Sequence, residues 1–452
     1  MSSPVVEHLN RTIDDAIAEL EKLVRIPSVA ATGEGLDESA RLVEKMLRDA
    51  GLSTRLHRTS GAPVVTGELD VGAGKTLLIY DHYDVQPPDP VDLWTSPPFE
   101  LTRMNDRLYG RGVADNKGDL VSRVWALRAY RDLGIAPPVN VRFVVEGEEE
   151  TSSPHLNEFV RDNVDFIRAD GGIWEFGSTD ARGRQEMWLG LKGILYVQLE
   201  VKTLAHDAHS SLACVLPSAP HRLVSALSSM RDSSGRVLID GFYDDIRPLT
   251  RLERDLIERV SFDEEQLREF YGVAEFLGGL SGSDLKEAFY NAPTCNICGV
   301  WSGYQGTGSK TVLPASAAAK LDFRLVSGMS PAKTLERIRR HLDRNGHDDI
   351  RIAWHEGYPA AKTRPDHPFV EVVRKATTMA FGHEPIVHPT HPGSGPLYLF
   401  ADYVPMVSVG CGNFGSRVHS PNENITVDDF LRSMKRTVYV IESMSMMDIS
   451  RA

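Results

Sequence analysis

At 452 residues the chain is too long for one ordinary core and is expected to fold as two or three domains of about 100–200 residues each. Apolar residues make up 41%, charged residues 25%, and the formal net charge is -13. That balance excludes a nucleic acid or anionic membrane held by bulk charge. The amphipathic, acidic start MSSPVVEHLNRTIDDAIAEL lacks the basic flank and apolar core of a secretion signal, and no apolar run approaches the ~20 residues of a membrane span. Cys214, Cys295, Cys298 and Cys411 are too few and too scattered for a disulfide framework, which suits a reducing cytoplasm.

In chain order, Ile13, Ile17, Leu20 and Val24 lie at helical spacing and predict an amphipathic helix from about Val6 to Ile26. A second helix is expected from Glu38 to Ala50, closed by Gly51, followed by short strands at Ser53–His57 and Pro63–Glu68. The run from Lys75 to Tyr80 reads as a buried strand that ends in Asp81, His82 and Asp84. After a loop rich in proline come Gly110-Arg-Gly112, too short for a nucleotide loop, and Asp115-Asn116 at the head of a helix reaching Leu133. Asp115 there could do no more than cap the helix.

Val141 to Val145 is a further buried strand, and it ends in Glu146, Glu148, Glu149 and Glu150 with no Lys or Arg in the run. Four acids at a strand end repel one another unless they are solvated or a cation sits among them. A strand with the same layout, an apolar run followed by an acid, reaches Glu175, with Asp170 as a competing acid five residues upstream. Strands alternating with helices imply a mainly parallel sheet covered by helices, an α/β arrangement that gathers ligands at the carboxyl ends of its strands. His82, Glu149, Glu150 and Glu175 all belong to such ends.

From Leu189 the pattern changes. A strand at Gly193–Val201, a helix from Pro220 to Asp232, charged helical residues over Leu249–Leu277, strands at Thr294–Trp301 and Ser316–Val326, a helix from Ser330 to Asn345 and a strand at Asp349–Trp354 describe an inserted α+β module. Cys295 and Cys298 fall inside an alternating strand, without a second such pair, and are expected to bind no metal. The first domain then resumes with a helix near Phe369–Ala380, a glycine-rich turn at Gly393-Ser394-Gly395, a strand at Val404–Val409, the segment Arg417-Val-His419-Ser-Pro-Asn-Glu423, and a last helix from Val427 to Met446. The expected division is 1–190 with 359–452 for the first domain and 191–358 for the insert.

Five motifs in order, YDHYDVQP, GRGVADNKG, EGEEE, GGIWE and RVHSPNE, resemble the co-catalytic di-zinc peptidase family of carnosinase-type dipeptidases, glutamate carboxypeptidase, aminoacylase, acetylornithine deacetylase and succinyl-diaminopimelate desuccinylase. The resemblance spans nearly the whole chain. It implies two Zn2+ ions, with Mn2+ or Co2+ as substitutes, held by His82 and Glu175, by Glu150 and His419, and by Asp115 as a bridge joined to Asn116 through a cis peptide. It further implies Asp84 as the carboxylate that orients His82, and Glu149 as the general base that takes a proton from the attacking water and passes it to the leaving amine. The insert would be the family's lid and dimerisation domain, with His209 stabilising an oxyanion in the partner subunit's site, Arg324 clamping a substrate carboxylate and Gly393, Ser394 and Gly395 binding the same end.

Asp81 departs from the glycine many relatives carry, which puts an extra charge beside the first ligand. Glu175 matches the carboxypeptidase and deacylase branches, whereas YDVQP and the segment from Trp301 to Lys310 look more like the dipeptidase branch. The reading that follows is a homodimeric, cytoplasmic metallopeptidase that cleaves an amide bond in a small substrate with a free carboxylate, a dipeptide first of all. N-acyl-amino-acid deacylation is the alternative, and a non-catalytic metal or peptide binder the second alternative.

Overall fold

The middle of Thr76–His82 is an unbroken apolar run because its side chains are covered on both faces, and Leu77, Leu78, Ile79 and Tyr80 are all fully buried. In the computed structural model, which describes residues 3–448, this strand lies inside an eight-stranded sheet. We label its strands β1 (Ser53–His57), β2 (Val64–Leu69), β3 (Thr76–His82), β4 (Asn140–Glu146), β5 (Gly171–Trp174), β6 (Glu186–Trp188), β7 (Ile386–His388) and β8 (Met406–Ser408). Their spatial order is β1-β2-β4-β3-β5-β8-β6-β7. The four middle strands β4, β3, β5 and β8 run parallel, so their carboxyl ends point the same way. Antiparallel pairing is confined to β1 with β2, β2 with β4, and β8 with β6.

Six helices that accompany the sheet are labelled α1 (Pro4–Arg11), α2 (Ile13–Val24), α3 (Leu36–Asp49), α4 (Lys117–Asp132), α5 (Pro368–Phe381) and α6 (Val427–Met444), and two shorter ones, Leu156–Asp162 and Val164–Ile167, precede β5. The single helix expected over Val6–Ile26 is two: Thr12 leaves helical geometry at φ -112° and ψ 18°, and its hydroxyl bonds back to the His8 carbonyl. α3 packs on β1 and β2, while α4 lies between β3 and α6, which in turn packs on α5. α4 is buried nearly all round, including Lys117, Asp119 and Arg123. Such charges persist inside only when every donor finds an acceptor. Lys117 spends its ammonium on the carbonyls of Leu23 and Ile26, 3.0 and 2.7 Å away.

The chain divides into two compact units: Met1–Gly190, Lys362–Pro389 and Gly395–Ala452 form one, and Leu191–Ala361 with Thr390–Ser394 the other. The second is α+β. Four antiparallel strands stand in the order Asn296–Ser302, Ser316–Leu325, Gly193–Lys202, Arg351–Tyr358. Strict alternation along Gly193–Lys202 buries Leu195, Val197, Leu199 and Val201, which pack in one core with Leu223, Leu227, Ile338 and Leu342 from the helices Ala219–Met230 and Pro331–Arg344. All four cysteines are unpaired, with Cys295 buried and Cys298 exposed on the edge strand. Among the described residues, no helix is long and apolar enough to cross a membrane.

Candidate metal centre

Parallel pairing places His82 at the end of β3 directly beside Glu146 at the end of β4. Just beyond β4, a single 3-10 turn, Glu149–Thr151, carries Glu149 and Glu150. Gly147 allows this close return: a Cβ there would lie 2.3 Å from the ring of Tyr83, whose hydroxyl is bonded to the Pro63 carbonyl. Two of the sequence motifs therefore meet at one glycine. Glu175 follows the last residue of β5, and Asp115 precedes α4 across a cis peptide to Asn116.

These residues converge with His419, which comes from a loop whose Arg417, His419 and Asn422 all hold left-handed backbone at φ 55°, 60° and 64°. His82 Nε2 lies 3.0 Å from Asp115 Oδ1, and His419 Nε2 lies 3.0 Å from Asp115 Oδ2 and 3.1 Å from Glu150 Oε2. Two donor triads result, His82-Asp115-Glu175 and Asp115-Glu150-His419, each with ligand atoms within 4.8 Å of one another and sharing Asp115. His82 is fully buried, whereas the His419 side chain is 51% exposed. The cluster is thus walled by the sheet on one side and open on the other.

Asp115 does not cap α4: Asn116 holds the N-cap position, and the Asp115 carboxylate faces the two imidazoles. Asp170 lies at the opposite end of β5, where its carboxylate accepts the Thr76 N–H at 2.8 Å, so Glu175 is the acid in the cluster. Asp84 stands behind His82, with Oδ1 3.3 Å from Nδ1, and its two oxygens also accept the N–H groups of Glu149 and Glu150 at 3.3 and 3.0 Å. Its backbone carbonyl lies nearer still, 3.1 Å from Nδ1, so Asp84 meets the imidazole with main chain and side chain while its carboxylate pins the glutamate turn.

The expectation that Asp81 adds its charge to the cluster is corrected. Successive side chains on a strand point to opposite faces, so Asp81 turns away from His82 and into the core, where it pairs with the buried guanidinium of Arg123. Arg123 also donates to the carbonyls of Tyr80, Trp174, Glu175 and Val409, tying the carboxyl ends of β3, β5 and β8 together. Asn116 adds a second tie, accepting the His82 N–H at 3.3 Å and donating to the Glu175 carbonyl at 2.8 Å. Sequence reading placed Asn116 only at the helix head and beside the cis peptide, and it did not single out Arg123 or Gln86. Gln86 belongs to the YDVQP motif, and its amide donates to Glu150 Oε2 at 3.0 Å.

The donor set fits divalent metal ions of the zinc type, which take imidazole nitrogen and carboxylate oxygen. Burial, with Glu150, Asp115 and Asp84 adding to it against the pull of His82, drives the Glu149 carboxyl well above its ordinary range. Burial lifts Glu175 likewise, with Glu149 adding to it. Glu150 Oε1 is buried without a hydrogen-bond partner. Acids crowded in this way, with an unpartnered oxygen among them, are what a cation would relieve.

His209 and Arg324 belong to the second unit. His209, on a two-residue strand opposite Val312, is exposed and its Nδ1 faces the Ser211 hydroxyl at 2.8 Å. Arg324 donates to the Ser394 hydroxyl at 2.7 Å, which donates onward to the Gly193 carbonyl at 3.1 Å. Lys192, next to Gly193 in the chain, donates its backbone N–H to the Gly393 carbonyl at 3.0 Å and its ammonium to the carbonyls of Phe289 and Ala292, 2.9 Å each. Gly395 is extended at φ -167° and leads into the turn Pro396–Leu399 of the first unit.

Residues 78–443 match the model of Peptidase family M20/M25/M40. The chain is 30% identical over 393 residues to a Beta-Ala-His dipeptidase of Homo sapiens, covering 82% of this chain and 76% of that one. It is 29% identical over 462 residues to a Cys-Gly metallodipeptidase of Schizosaccharomyces pombe, covering 95% of each. Among solved structures, an M20 family metallo-carboxypeptidase from Sulfolobus solfataricus superposes with a TM-score of 0.90 at 37% identity, covering 96% of this chain and 99% of that one.

Proposed function

The chain belongs to Peptidase family M20/M25/M40, and from that premise we propose that it is a metallodipeptidase that uses two zinc ions, with Mn2+ or Co2+ as substitutes, to hydrolyse the amide bond of a dipeptide with a free carboxylate. The observation that carries this reading is the pair of donor triads sharing Asp115, with Glu149 beside them on the Glu149–Thr151 turn. His82, Glu175, Glu150, His419 and Asp115 would hold the ions. When bound, the metal supplies Lewis-acid polarisation of the scissile carbonyl and a water of lowered pKa.

The chain's own groups do the rest. A Glu149 carboxylate oxygen accepts the proton of the attacking water and delivers it to the departing amine nitrogen. Asp84 holds His82 in one orientation, and Gln86 holds Glu150. Arg324 binds the substrate carboxylate through a charge-assisted pair, with Ser394 and the neighbouring backbone at Gly393 and Gly395 receiving the same end. His209 stabilises the oxyanion from a partner subunit, which makes the homodimer the working form. The four unpaired cysteines support a cytoplasmic setting.

The test is mass-spectrometric product detection after zinc- or manganese-loaded protein meets a mixed panel of dipeptides, tripeptides and N-acyl amino acids. Cleavage of dipeptides with a free C-terminal carboxylate, lost on amidation, is the expected result. Cleavage of acyl amino acids alone would overturn the dipeptidase assignment, and no turnover in either metal would overturn the enzyme assignment.

A further inference from the structure

Four residues beyond His419, Glu423 is a fully buried carboxylate that none of the proposed chemistry uses. Its Oε2 accepts from Arg111 Nη1 at 2.6 Å and from the Gly112 N–H at 3.0 Å. Its Oε1 accepts from the N–H groups of Ala114 at 2.9 Å and Asp115 at 3.0 Å. The Glu423 carbonyl also takes the Gly110 N–H at 3.1 Å. A buried charge is tolerated when donors surround it, and here three of the four side-chain partners are backbone amides of one short loop.

That loop has no regular structure of its own to hold it. It ends in Asp115, the residue shared by both donor triads. Directly after Glu423, Asn424–Thr426 pairs with Arg107–Tyr109, so the segment bearing His419 is fastened on the far side as well. Arg111 extends the fastening, since its Nη2 donates to the Pro87 carbonyl at 3.2 Å, next to the Gln86 that bonds Glu150. Three ligand segments far apart in sequence therefore converge on one carboxylate and its guanidinium partner.

We propose that Glu423 is a positioning residue of the metal centre: by gathering the Gly112–Asp115 amides it sets the bridging Asp115 carboxylate against His82 and His419 before any metal binds. This rests on the reading of the cluster as a metal centre. Its physical basis is pre-organisation. The amides that point inward at Glu423 would otherwise be buried without partners, and ordering the loop would draw on the free energy of metal binding. A glutamine in its place would turn an amide N–H2 toward two donors and lose half of the cradle.

The test joins two measurements on the full chain. Competition of Zn2+ against a chromophoric chelator should show that Glu423→Gln loses about tenfold or more in affinity for at least one ion, as partners behind metal ligands typically do. Hydrogen exchange with mass spectrometry on the metal-free wild type should show the 112–115 amides protected already. In Glu423→Gln the same amides should exchange faster while β3 and β4 keep their protection, which a merely global loss of stability would not produce. Rapid exchange at 112–115 in metal-free wild type, with protection appearing only on adding metal, would overturn the proposal even if the variant fails to fold. Unchanged zinc affinity in a folded Glu423→Gln would overturn it too. A wild type that binds no zinc would overturn the metal-centre reading along with it.

Discussion

Asp81 and His82 are adjacent in sequence and do opposite work, because a strand sends neighbouring side chains to opposite faces. His82 enters the acid cluster; Asp81 meets Arg123 in the core. The same scale separates Glu149 from Glu150. A Glu149→Gln variant should lose about 10^2–10^4-fold in kcat, the usual worth of a general base, while binding two metal ions as wild type does. Metal content by plasma mass spectrometry beside the rate decides it, since loss of metal would make Glu149 a ligand instead. Asp84→Asn should weaken metal binding by about 10–100-fold, because the carboxylate behind His82 and beneath the glutamate turn is gone. Equal affinity in the two proteins would remove Asp84 from that role.

At the scale of elements, the motifs were legible because each ends a periodic run: apolar strand, then acid or histidine. What the periodicity cannot carry is the partner of a buried charge. Arg123 sits mid-helix on α4 among residues that read as a plain helix, yet its guanidinium serves Asp81 and four carbonyls on three strands. Arg123→Leu should cost on the order of 3–5 kcal/mol in denaturant unfolding, the cost of leaving Asp81 buried without its partner. A loss under about 1 kcal/mol would place the strand ends under other control.

Lys192 offers a pH test on the second unit. Burial, with Arg324 adding to it, pushes its ammonium down to about 8 from 10.5. Between those values the unfolded chain holds the proton and the folded chain does not, so Lys192 makes stability rise as pH climbs through that window. The stability gap between wild type and Lys192→Met should move in favour of wild type from pH 7 to pH 10. A gap that stays constant would mean the ammonium is not strained by burial.

For the molecule as a unit, the crowding of Asp115, Glu150 and Glu175 around the proposed metal centre would make the ions structural as well as chemical elements. Chelation should lower the thermal midpoint by several degrees, restored by adding zinc; binding equal to 100 times Kd is worth about 2.7 kcal/mol. An unchanged midpoint would mean the acids are accommodated without a cation. The proposed dimer has a sharper test. Glu149→Gln and His209→Ala should each be nearly inactive alone, and mixing them under subunit exchange should restore activity, because one site of each hybrid then holds an intact Glu149 and the partner's intact histidine. Absence of recovery in hybrids verified by native mass spectrometry would put His209 in its own subunit's site.

The α/β architecture, the family resemblance and the acids at strand ends were legible in the order of residues alone, because hydrophobic periodicity and motif order are local properties of a chain. It also carried the inserted α+β stretch as a change in that periodicity. Which acids meet followed from how the strands pair and which way their side chains face. Parallel pairing set Glu175 in the cluster and Asp170 at the far end of β5, the pleat turned Asp81 to Arg123, and Glu423 reached back across the chain to the Asp115 loop. Those outcomes depend on contacts between residues tens to hundreds of positions apart, and a linear pattern has no term for the direction in which a side chain faces once strands pair.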